Sequence, residues 1–292
     1  MLHDTKHNIS IAMTRSKSAN IRGRKPRKDT ENSAKKAPRG RQGGKSVVAS
    51  EGWLYGDHAV VAALANPARK FRRLVLTRSK FEALDEETKG RIEEQIAPEF
   101  ADKDAIARLL PDNAIHQGIA LLPSPLPDHT IEDLLGNPDL AIQVVAVLDQ
   151  VTDPQNVGAI LRSAAAFNVA AVIMPDRHSP PITGVLAKAA SGAVETVPII
   201  RVGNLSRALD QLAEQGFWRI GLDGQAEQEL SQAAATLEKV AIVLGAEGKG
   251  LRQLTTQKCD LLAKLPISSR VESLNVSNAA AITFYELARS TN

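Results

Sequence analysis

Three short stretches of the sequence carry polar side chains or glycines next to long apolar runs. In DPQNVGAILR, Asn156 stands six residues before Arg162. In GAEGKG, glycines flank Glu247, and glycine lets a backbone approach a ligand closely. The stretch SRVESLNVSN, which starts at Ser269, interleaves Arg, Glu, Ser and Asn with Val and Leu just before an Ala-rich helix. These polar groups crowd where a core would be expected, which raises the question of a ligand site.

Each stretch alone also has an ordinary structural explanation. Asn156 could simply cap a helix, and Arg162 could be a surface charge. Asn275 or Ser277 could cap the last helix, although one cap leaves the other polar side chains of that stretch unexplained. The glycine-rich loop lacks both the G-x-G-x-x-G spacing and the G-x-x-x-x-G-K-[ST] pattern, so a known type of phosphate-binding loop is poorly supported.

The region after residue 143 alternates apolar strands with helices. Strands are predicted at 143–149, 170–175, 197–200 and 239–245 and in WRIGLDG, and helices at 157–167, 184–193 and 205–216 and in ITFYELAR. This alternation predicts a parallel sheet covered by helices on both faces. Ligands bind such sheets at the carboxyl ends of the strands. The three unusual stretches are therefore expected at that edge.

A smaller α/β unit precedes this region. Residues 52–122 contain a turn that leads into a short helix, a strand at 71–77, an exposed helix in FEALDEETKGRIEEQI, a further helix that ends at Pro111, and a strand at 114–122. The next seven residues, PSPLPDH, include three prolines and predict a linker.

Composition excludes several classes of protein. The chain has 292 residues, of which 43% are apolar, so it can bury a sizeable core. The single cysteine, Cys259, excludes an intramolecular disulfide framework and a cysteine-rich zinc site. No run of 18 apolar residues and no signal peptide is recognisable. We therefore expect a soluble, cytoplasmic protein with no membrane partner. Aromatic residues make up 3% of the chain, too few for a sheet that binds single strands by stacking many bases.

The net charge of +3 conceals a basic N-terminal tail. Residues 1–50 hold 13 Lys and Arg against three acidic residues, a balance of +10, whereas the remaining residues have a balance of −7. With few apolar residues and no periodicity, this tail is predicted to be disordered. It could be an arm that attracts RNA phosphates, an extension without function, or a mitochondrial transit peptide, and the sequence leaves these alternatives open.

The order and spacing of the three stretches resemble the signature motifs of the SpoU (TrmH) branch of the SPOUT RNA methyltransferases. Asn156 and Arg162 match motif one, GAEGKG matches the G-x-E-x-x-G loop of motif two, and LPISSRVESLNVS matches motif three. Leu265 and Ile267 stand where Ile and Met are usual, and Ser269 replaces a common Gly. The segments LYGDHAVVAAL and HQGIALL resemble the L30e-type substrate-binding domain of family members that act on ribosomal RNA.

The resemblance implies a fold and a domain organisation. The fold class is α/β, with a parallel sheet and a deep C-terminal trefoil knot, preceded by a small L30e-like α/β domain and the disordered basic tail. The implied boundaries are 1–50 for the tail, 51–123 for the L30e-like domain, 124–142 for a linker, and 143–292 for the SPOUT methyltransferase domain. The family also implies a homodimer through the knotted domain, with the site near the interface.

The resemblance also implies a reaction and its residues. S-adenosyl-L-methionine is the implied cofactor, bound among the knot loops without any metal, and the methyl group goes to a ribose 2′-hydroxyl of RNA. Matching the motifs assigns cofactor contacts to Gly245, Leu265, Ile267 and Leu274. It assigns the catalytic site to Arg162, Asn156, Glu247, Ser273 and Asn275. Arg162 is expected to contact the 2′-oxygen or the adjacent phosphate, held by Ser273 and Asn275 and oriented by Asn156 and Glu247. A guanidinium is effectively never deprotonated, so the identity of the base stays open.

The substrate and the function have alternatives at this point. The L30e-like domain favours 23S rRNA, with guanosine the commonest base for this domain arrangement, over tRNA. A non-catalytic RNA-binding or ribosome-assembly protein could keep the same fold, although all five polar motif positions are present. A nicotinamide dehydrogenase is excluded because its glycine fingerprint is missing.

Overall fold

The computed structural model describes residues 52–136 and 142–289. The predicted basic tail and residues 137–141 of the predicted linker lie outside the described residues. The strands are β1 Leu54–Tyr55, β2 Phe71–Leu76, β3 Pro98–Phe100, β4 Ile119–Pro123, β5 Gln143–Asp149, β6 Ala171–Pro175, β7 Ile199–Val202, β8 Trp218–Leu222, β9 Lys239–Gly245 and β10 Leu261–Ala263. The helices are α1 Asp57–Ala65, α2 Arg78–Glu82, α3 Glu86–Gln95, α4 Lys103–Ala107, α5 Pro154–Ala166, α6 Gly184–Ala190, α7 Leu205–Glu214, α8 Leu230–Ala233, α9 Gln253–Lys258 and α10 Val276–Arg289. Two short 3-10 helices span Ile131–Gly136 and Ala193–Glu195.

A four-stranded sheet forms the first part of the described chain. Its order is β1-β4-β2-β3, in which β3 runs parallel to β2 and the other neighbours are antiparallel. The apolar ends of β2 and β4 are buried against α1 and α3, and Leu74, Leu76, Ile119 and Leu121 are fully enclosed. No helix of the described residues is long and apolar enough to cross a membrane.

A six-stranded parallel sheet forms the second part, as the alternation of strands and helices predicts. Its order is β10-β8-β9-β5-β6-β7, and every neighbouring pair is parallel. All seven residues of β5 are buried, as expected of a central strand with helices on both faces. The predicted α/β fold with a parallel sheet is therefore confirmed.

The strand order of this sheet reverses between the neighbouring strands β5 and β9. From β5 the chain proceeds outward to β6 and β7, then crosses to β8 and returns through β9 to the side of β5. The last residues of the two central strands, Asp149 and Gly245, are register partners. Ligands on open parallel sheets bind at such a switch point, beyond the carboxyl ends of the strands.

Local structure departs from the sequence prediction in a few places. The predicted helix in FEALDEETKGRIEEQI is interrupted, because Asp85 caps α3 by accepting from the Thr88 amide at 2.8 Å. The hydrogen bonds from Thr88 also lower the pKa of the Asp85 carboxyl. The short strands β1, β3 and β10 were not predicted, because two or three residues are too few to show a two-residue period.

The two sheets are joined by a buried ion pair. Arg69, between α1 and β2, donates from Nε and Nη2 to the carboxylate of Glu195, both at 2.8 Å. Its Nη1 also donates to the Ser124 carbonyl at 2.7 Å. The side chains of Arg69 and Glu195 are only 5% and 3% exposed. Each charge is therefore out of water and depends on the other for compensation.

Two glycines allow the same interface to pack closely. A Cβ on Gly184 would lie 2.4 Å from the Tyr55 ring, and a Cβ on Gly192 would lie 2.7 Å from the Ala62 methyl group. Any larger side chain would therefore push α6 and the following turn away from β1 and α1.

We expect Glu195→Gln to destabilise the protein by about 3 kcal/mol, because the substitution leaves Arg69 buried without a countercharge. Urea unfolding followed by circular dichroism measures the loss. The matched control is Glu99→Gln, since Glu99 accepts from Arg73 in the same two-point geometry but both side chains are nearly half exposed. Exposed pairs contribute about 0 to 1 kcal/mol, so equal losses in the two variants would contradict the role given to the buried pair.

Candidate active site

One residue from each of the three stretches meets at the switch point. Asn275 donates from Nδ2 to Oε1 of Glu247 and to Oδ1 of Asn156, the second contact at 3.1 Å. Asn156 donates from Nδ2 to the same Glu247 oxygen at 3.2 Å, and the Val276 amide approaches it at 3.4 Å. We call Asn156, Glu247 and Asn275 the polar cluster. Residues up to 119 positions apart in the sequence thus form one hydrogen-bonded group.

The helix that carries Asn156 is capped by a different residue. Asp153 caps α5 by accepting from the Gln155 amide at 2.9 Å, and Pro154 occupies the first turn, where its missing amide proton is not needed. The ordinary explanation of Asn156 as the cap is therefore wrong. Its side chain is left available for the polar cluster.

Asn275 serves both the helix and the polar cluster. Its Oδ1 accepts from the Ser277 amide at 2.9 Å and from the Asn278 amide at 3.4 Å, so it caps α10. Its Nδ2 points to Glu247 and Asn156. The capping explanation of Asn275 is correct, and the same side chain also joins the site.

The loop after β9 folds back on itself in a way that requires glycine. A Cβ on Gly245 would lie 2.2 Å from the carbonyl carbon of Gly250. Gly250 donates its amide to the Ala246 carbonyl at 2.9 Å, and both Gly248 and Gly250 have positive φ, at 73° and 63°. This tight loop presents Glu247 to the polar cluster.

A buried carboxylate at the end of β5 anchors this loop. Asp149 accepts from the Arg252 amide at 3.0 Å and from the Arg252 Nε at 2.6 Å, and its side chain is fully buried. The Arg252 side chain is 47% exposed, so the enclosed carboxylate holds a residue at the surface immediately after the glycine loop.

A cavity of about 460 Å³ adjoins the polar cluster. The four positions assigned to the cofactor, Gly245, Leu265, Ile267 and Leu274, all line it, and so does Ser273. Further lining comes from the ends of β8 and β9 and from the loops that follow them. The cavity volume lies in the range of about 300 to 1,000 Å³ that is usual for small-molecule sites.

The structure does not bring Arg162 into the polar cluster. Arg162 is exposed on α5, and its side chain forms no hydrogen bond or ion pair with the described part of the chain. An α-helix rises about 1.5 Å per residue, so Arg162 lies about 9 Å along the axis from Asn156 and on another face. Ser273 is exposed as well, and no hydrogen bond joins it to Arg162.

Sequence reasoning missed three polar residues at this edge of the sheet. Asp149 and its partner Arg252 fix the glycine loop, and Asp223, directly after β8, lines the cavity. Both acids stand at or just beyond the carboxyl end of a predicted apolar strand. The rule that ligand sites lie at those ends could have found them.

Cys259 has no role as a nucleophile in this arrangement. Burial raises the pKa of its thiol to about 11, so the thiol stays protonated near neutral pH. Among residues 52–136 and 142–289 there is no group of three or more His, Cys, Asp or Glu side chains that could hold a metal ion.

Comparison with known proteins decides the family. Residues 143–285 match the SpoU rRNA Methylase family, and residues 53–128 match the RNA 2'-O ribose methyltransferase substrate binding family. The 23S rRNA (guanosine-2'-O-)-methyltransferase RlmB of Vibrio vulnificus is 39% identical over 255 residues, which cover 82% of this chain and 97% of that protein. The chain belongs to the SpoU rRNA methylase family. The protein of the same name from Escherichia coli K12 is 37% identical to this SpoU family member over 248 residues, with coverage of 81% and 97%. The present chain is accordingly an RNA 2′-O-ribose methyltransferase.

Solved structures show the same fold. The SpoU methyltransferase AviRb from Streptomyces viridochromogenes, in complex with the cofactor AdoMet, has a TM-score of 0.67 at 19% identity and covers 85% of this SpoU chain and 93% of its own. The AdoMet-bound rRNA methyltransferase from Sinorhizobium meliloti has a TM-score of 0.66 at 20% identity, with coverage of 81% and 86%.

We expect Asp149→Asn to weaken binding of S-adenosylmethionine about tenfold, because the two Arg252 donors meet different carboxylate oxygens and an amide replaces one of these acceptors by a donor. Isothermal titration calorimetry measures this affinity. The matched control is Asp260→Asn, since Asp260 also accepts from the backbone amide and Nε of one arginine, Arg219, but stands at the start of β10. Equal affinities for Asp149→Asn and the unmodified protein would show that the anchor does not shape the cofactor site.

Proposed function

We propose that this protein transfers a methyl group from S-adenosylmethionine to the ribose 2′-hydroxyl of a guanosine in 23S rRNA. The observation that carries the proposal is the polar cluster of Asn156, Glu247 and Asn275 beside a cavity lined by all four assigned cofactor positions. The names and the 37–39% identity of the RlmB relatives supply the 23S rRNA and the guanosine.

The residues present fit S-adenosylmethionine. Leu265, Ile267 and Leu274 offer apolar contact to a purine and a methylene chain, and Gly245 lines the same cavity at the end of β9. Asp223 lines the cavity directly after β8, where its carboxylate can accept hydrogen bonds from the ribose hydroxyl groups of the cofactor. Two structural relatives are described with AdoMet bound, which supports the same cofactor here.

The bound cofactor supplies a methyl group on a positively charged sulfur, which departs as a neutral thioether when the ribose oxygen attacks. The protein must hold the 2′-oxygen in line with the carbon–sulfur bond and provide for the hydroxyl proton. The three donors to Glu247 described above all meet its Oε1. No described residue donates a hydrogen bond to Oε2, so this oxygen is left to orient Arg162 or the reacting hydroxyl.

Arg162 is proposed to contact the 2′-oxygen or the neighbouring phosphate, and Ser273 to assist it. The guanidinium is exposed and unpaired within the described residues, so it is available to a polyanionic ligand. A guanidinium stays protonated in proteins, so Arg162 as the base requires help, for which a substrate phosphate is suited.

We further propose a homodimer through the second part of the chain. Ile282 and Tyr285 on α10 are 45% and 52% exposed, and Tyr285 meets Phe167 at the end of α5 edge to face at 6.0 Å. Such an exposed apolar face is suited to cover its counterpart on a second copy. The trefoil knot, the L30e-like character of residues 51–123, the linker at 124–142 and the methyltransferase domain at 143–292 remain part of the proposal, as does a cytoplasmic location. The likeness to SpoU structures supports the knot and the methyltransferase domain, and the substrate-binding family match over residues 53–128 supports the preceding domain.

Methylation of tRNA and a non-catalytic role in ribosome assembly are the competing functions. Mapping of ribose methylation across rRNA and tRNA, in cells with and without the protein, distinguishes all three. Loss of one 2′-O-methylguanosine in 23S rRNA is the outcome that we expect.

Arg162→Ala should reduce kcat for methyl transfer by at least about a hundredfold, because the substitution removes the group proposed to meet the reacting oxygen, while cofactor affinity and thermal stability stay unchanged. Single-turnover transfer of a radiolabelled methyl group measures the rate. Arg207→Ala is the control, since Arg207 is an exposed arginine on α7 that neither lines the cofactor cavity nor belongs to the polar cluster. Normal turnover of Arg162→Ala would remove the central assignment.

The proposed homodimer predicts a solution mass twice the 31.3 kDa of one chain. Ile282→Glu should produce the monomer, because it places a charge in the apolar face of α10. Light scattering at micromolar concentration measures both masses. A monomeric mass for the unmodified protein would end the dimer proposal without affecting the reaction.

A further inference from the structure

A second cavity, of about 310 Å³, adjoins the cofactor cavity. The two cavities share the wall formed by Ala246, Glu247, Lys249 and Val276. Asn156 of the polar cluster also lines the second cavity. Methyl transfer requires donor and acceptor to be in direct contact, so a cavity that shares the Glu247 wall is where a reacting nucleotide can enter.

The second cavity presents several polar groups that the protein itself leaves unused. Its lining residues include Gln150, Thr152, Asp153, His178 and Lys249. Within the described residues, only Asp153 among these five takes part in a hydrogen bond or ion pair, through Oδ1 as the cap of α5. Its second oxygen, Oδ2, is free in that part of the chain.

The backbone around the cavity adopts an uncommon conformation. Gln150 and His178 have φ values of 62° and 68°, in the left-handed region that residues other than glycine seldom occupy. Gln150 is the first residue after β5, and His178 lies three residues after the neighbouring strand β6. Such conformations persist where the surrounding structure fixes them, and they concentrate at ligand sites.

The polar groups have the chemistry to recognise guanine. Guanine carries two adjacent donors, N1–H and the 2-amino group, and on its other side two adjacent acceptors, O6 and N7. A carboxylate accepts and an ammonium group donates, so a cavity that holds one of each can satisfy both edges. Adenine has an acceptor at N1 and lacks the 2-amino group, so it would set a lone pair against the carboxylate.

We propose that this cavity receives the base of the target guanosine. Asp153 Oδ2 accepts hydrogen bonds from N1–H and from the 2-amino group of the base. The Lys249 ammonium group donates to N7, next to O6. This inference rests on the proposed function, since it names the residues that select the nucleotide whose ribose is methylated. Asp153 and Lys249 are specificity residues, whereas the polar cluster faces the reacting oxygen.

The test measures kcat/KM on synthetic 23S rRNA hairpins that carry guanosine, inosine or 7-deazaguanosine at the methylated position. Inosine lacks the 2-amino group, and 7-deazaguanosine lacks the N7 acceptor. The variants are Asp153→Asn and Lys249→Met. Asparagine caps helices as well as aspartate does, so Asp153→Asn removes the charge while keeping α5 capped. Asp102→Asn is the matched control, because Asp102 caps α4 in the same way, by accepting from the Ala105 amide.

The unmodified enzyme should prefer guanosine to inosine by about tenfold, as expected for one lost polar contact to a base. In Asp153→Asn activity should fall on both substrates, because both carry N1–H, and the preference for guanosine should vanish, because the amide nitrogen cannot accept from the 2-amino group. In Lys249→Met the preference for guanosine over 7-deazaguanosine should vanish in the same way. Cofactor affinity should be unchanged in Asp153→Asn, because Asp153 does not line the cofactor cavity. Asp102→Asn should behave as the unmodified enzyme.

The outcomes separate this inference from the proposed function. If the unmodified enzyme methylates no guanosine hairpin, the proposed substrate is wrong and the inference falls with it. If it prefers guanosine and both variants keep the full preferences, the base is selected elsewhere while the proposed function stands. If Asp153→Asn melts at a lower temperature than Asp102→Asn, the Lys249→Met arm decides alone.

Discussion

The arrangement of the site depends on the hydrogen bonds that the Glu247 carboxylate accepts from Asn156, Asn275 and the Val276 amide. This carboxylate stands in a loop that only glycines can close, and it is fixed by amide donors from the start of α5 and the start of α10. An exposed carboxylate gains little from a single neutral donor in water. Three donors near the starts of two helices share the Oε1 atom of Glu247, and together they fix the position of this carboxylate. The two central strands bring the loop there, because Asp149 and Gly245 end side by side.

Much of the fold followed from periodicity and from strand ends. The fully buried β5 and the parallel sheet were predictable, since long apolar segments alternating with helices have few other solutions. The break at Asp85 and the short strand Pro98–Phe100 were not, because an aspartate is acceptable on an exposed helix face and three residues show no period. The break depends on the cap that Asp85 forms with Thr88, and the strand depends on its pairing with β2.

The site was predictable to the extent that its residues lie close to strand ends or match a known motif. The resemblance assigned Asn156, Glu247 and Asn275, and the structure joins them by hydrogen bonds. The place of Asp149 at a strand end marked it as a candidate, but its contact with Arg252 was not predictable, since the two residues are 103 positions apart and no sequence pattern pairs them. The assigned role of Arg162 stays a prediction, because side-chain direction on a helix depends on packing that spacing alone does not give.

The buried pair of Arg69 and Glu195 has a consequence for how an RNA would be chosen. Together with the close approach at Gly184 and Gly192, it packs the four-stranded sheet directly against the part of the chain that contains the six-stranded sheet. An RNA that touches both must present its docking element and its reactive ribose at one fixed separation and angle. If RNA is bound as proposed, a flexible strand loses conformational entropy when it adopts this geometry, whereas a pre-folded hairpin of matching span loses less. The fixed pairing of the two sheets would then favour RNAs by their three-dimensional shape as well as by their bases.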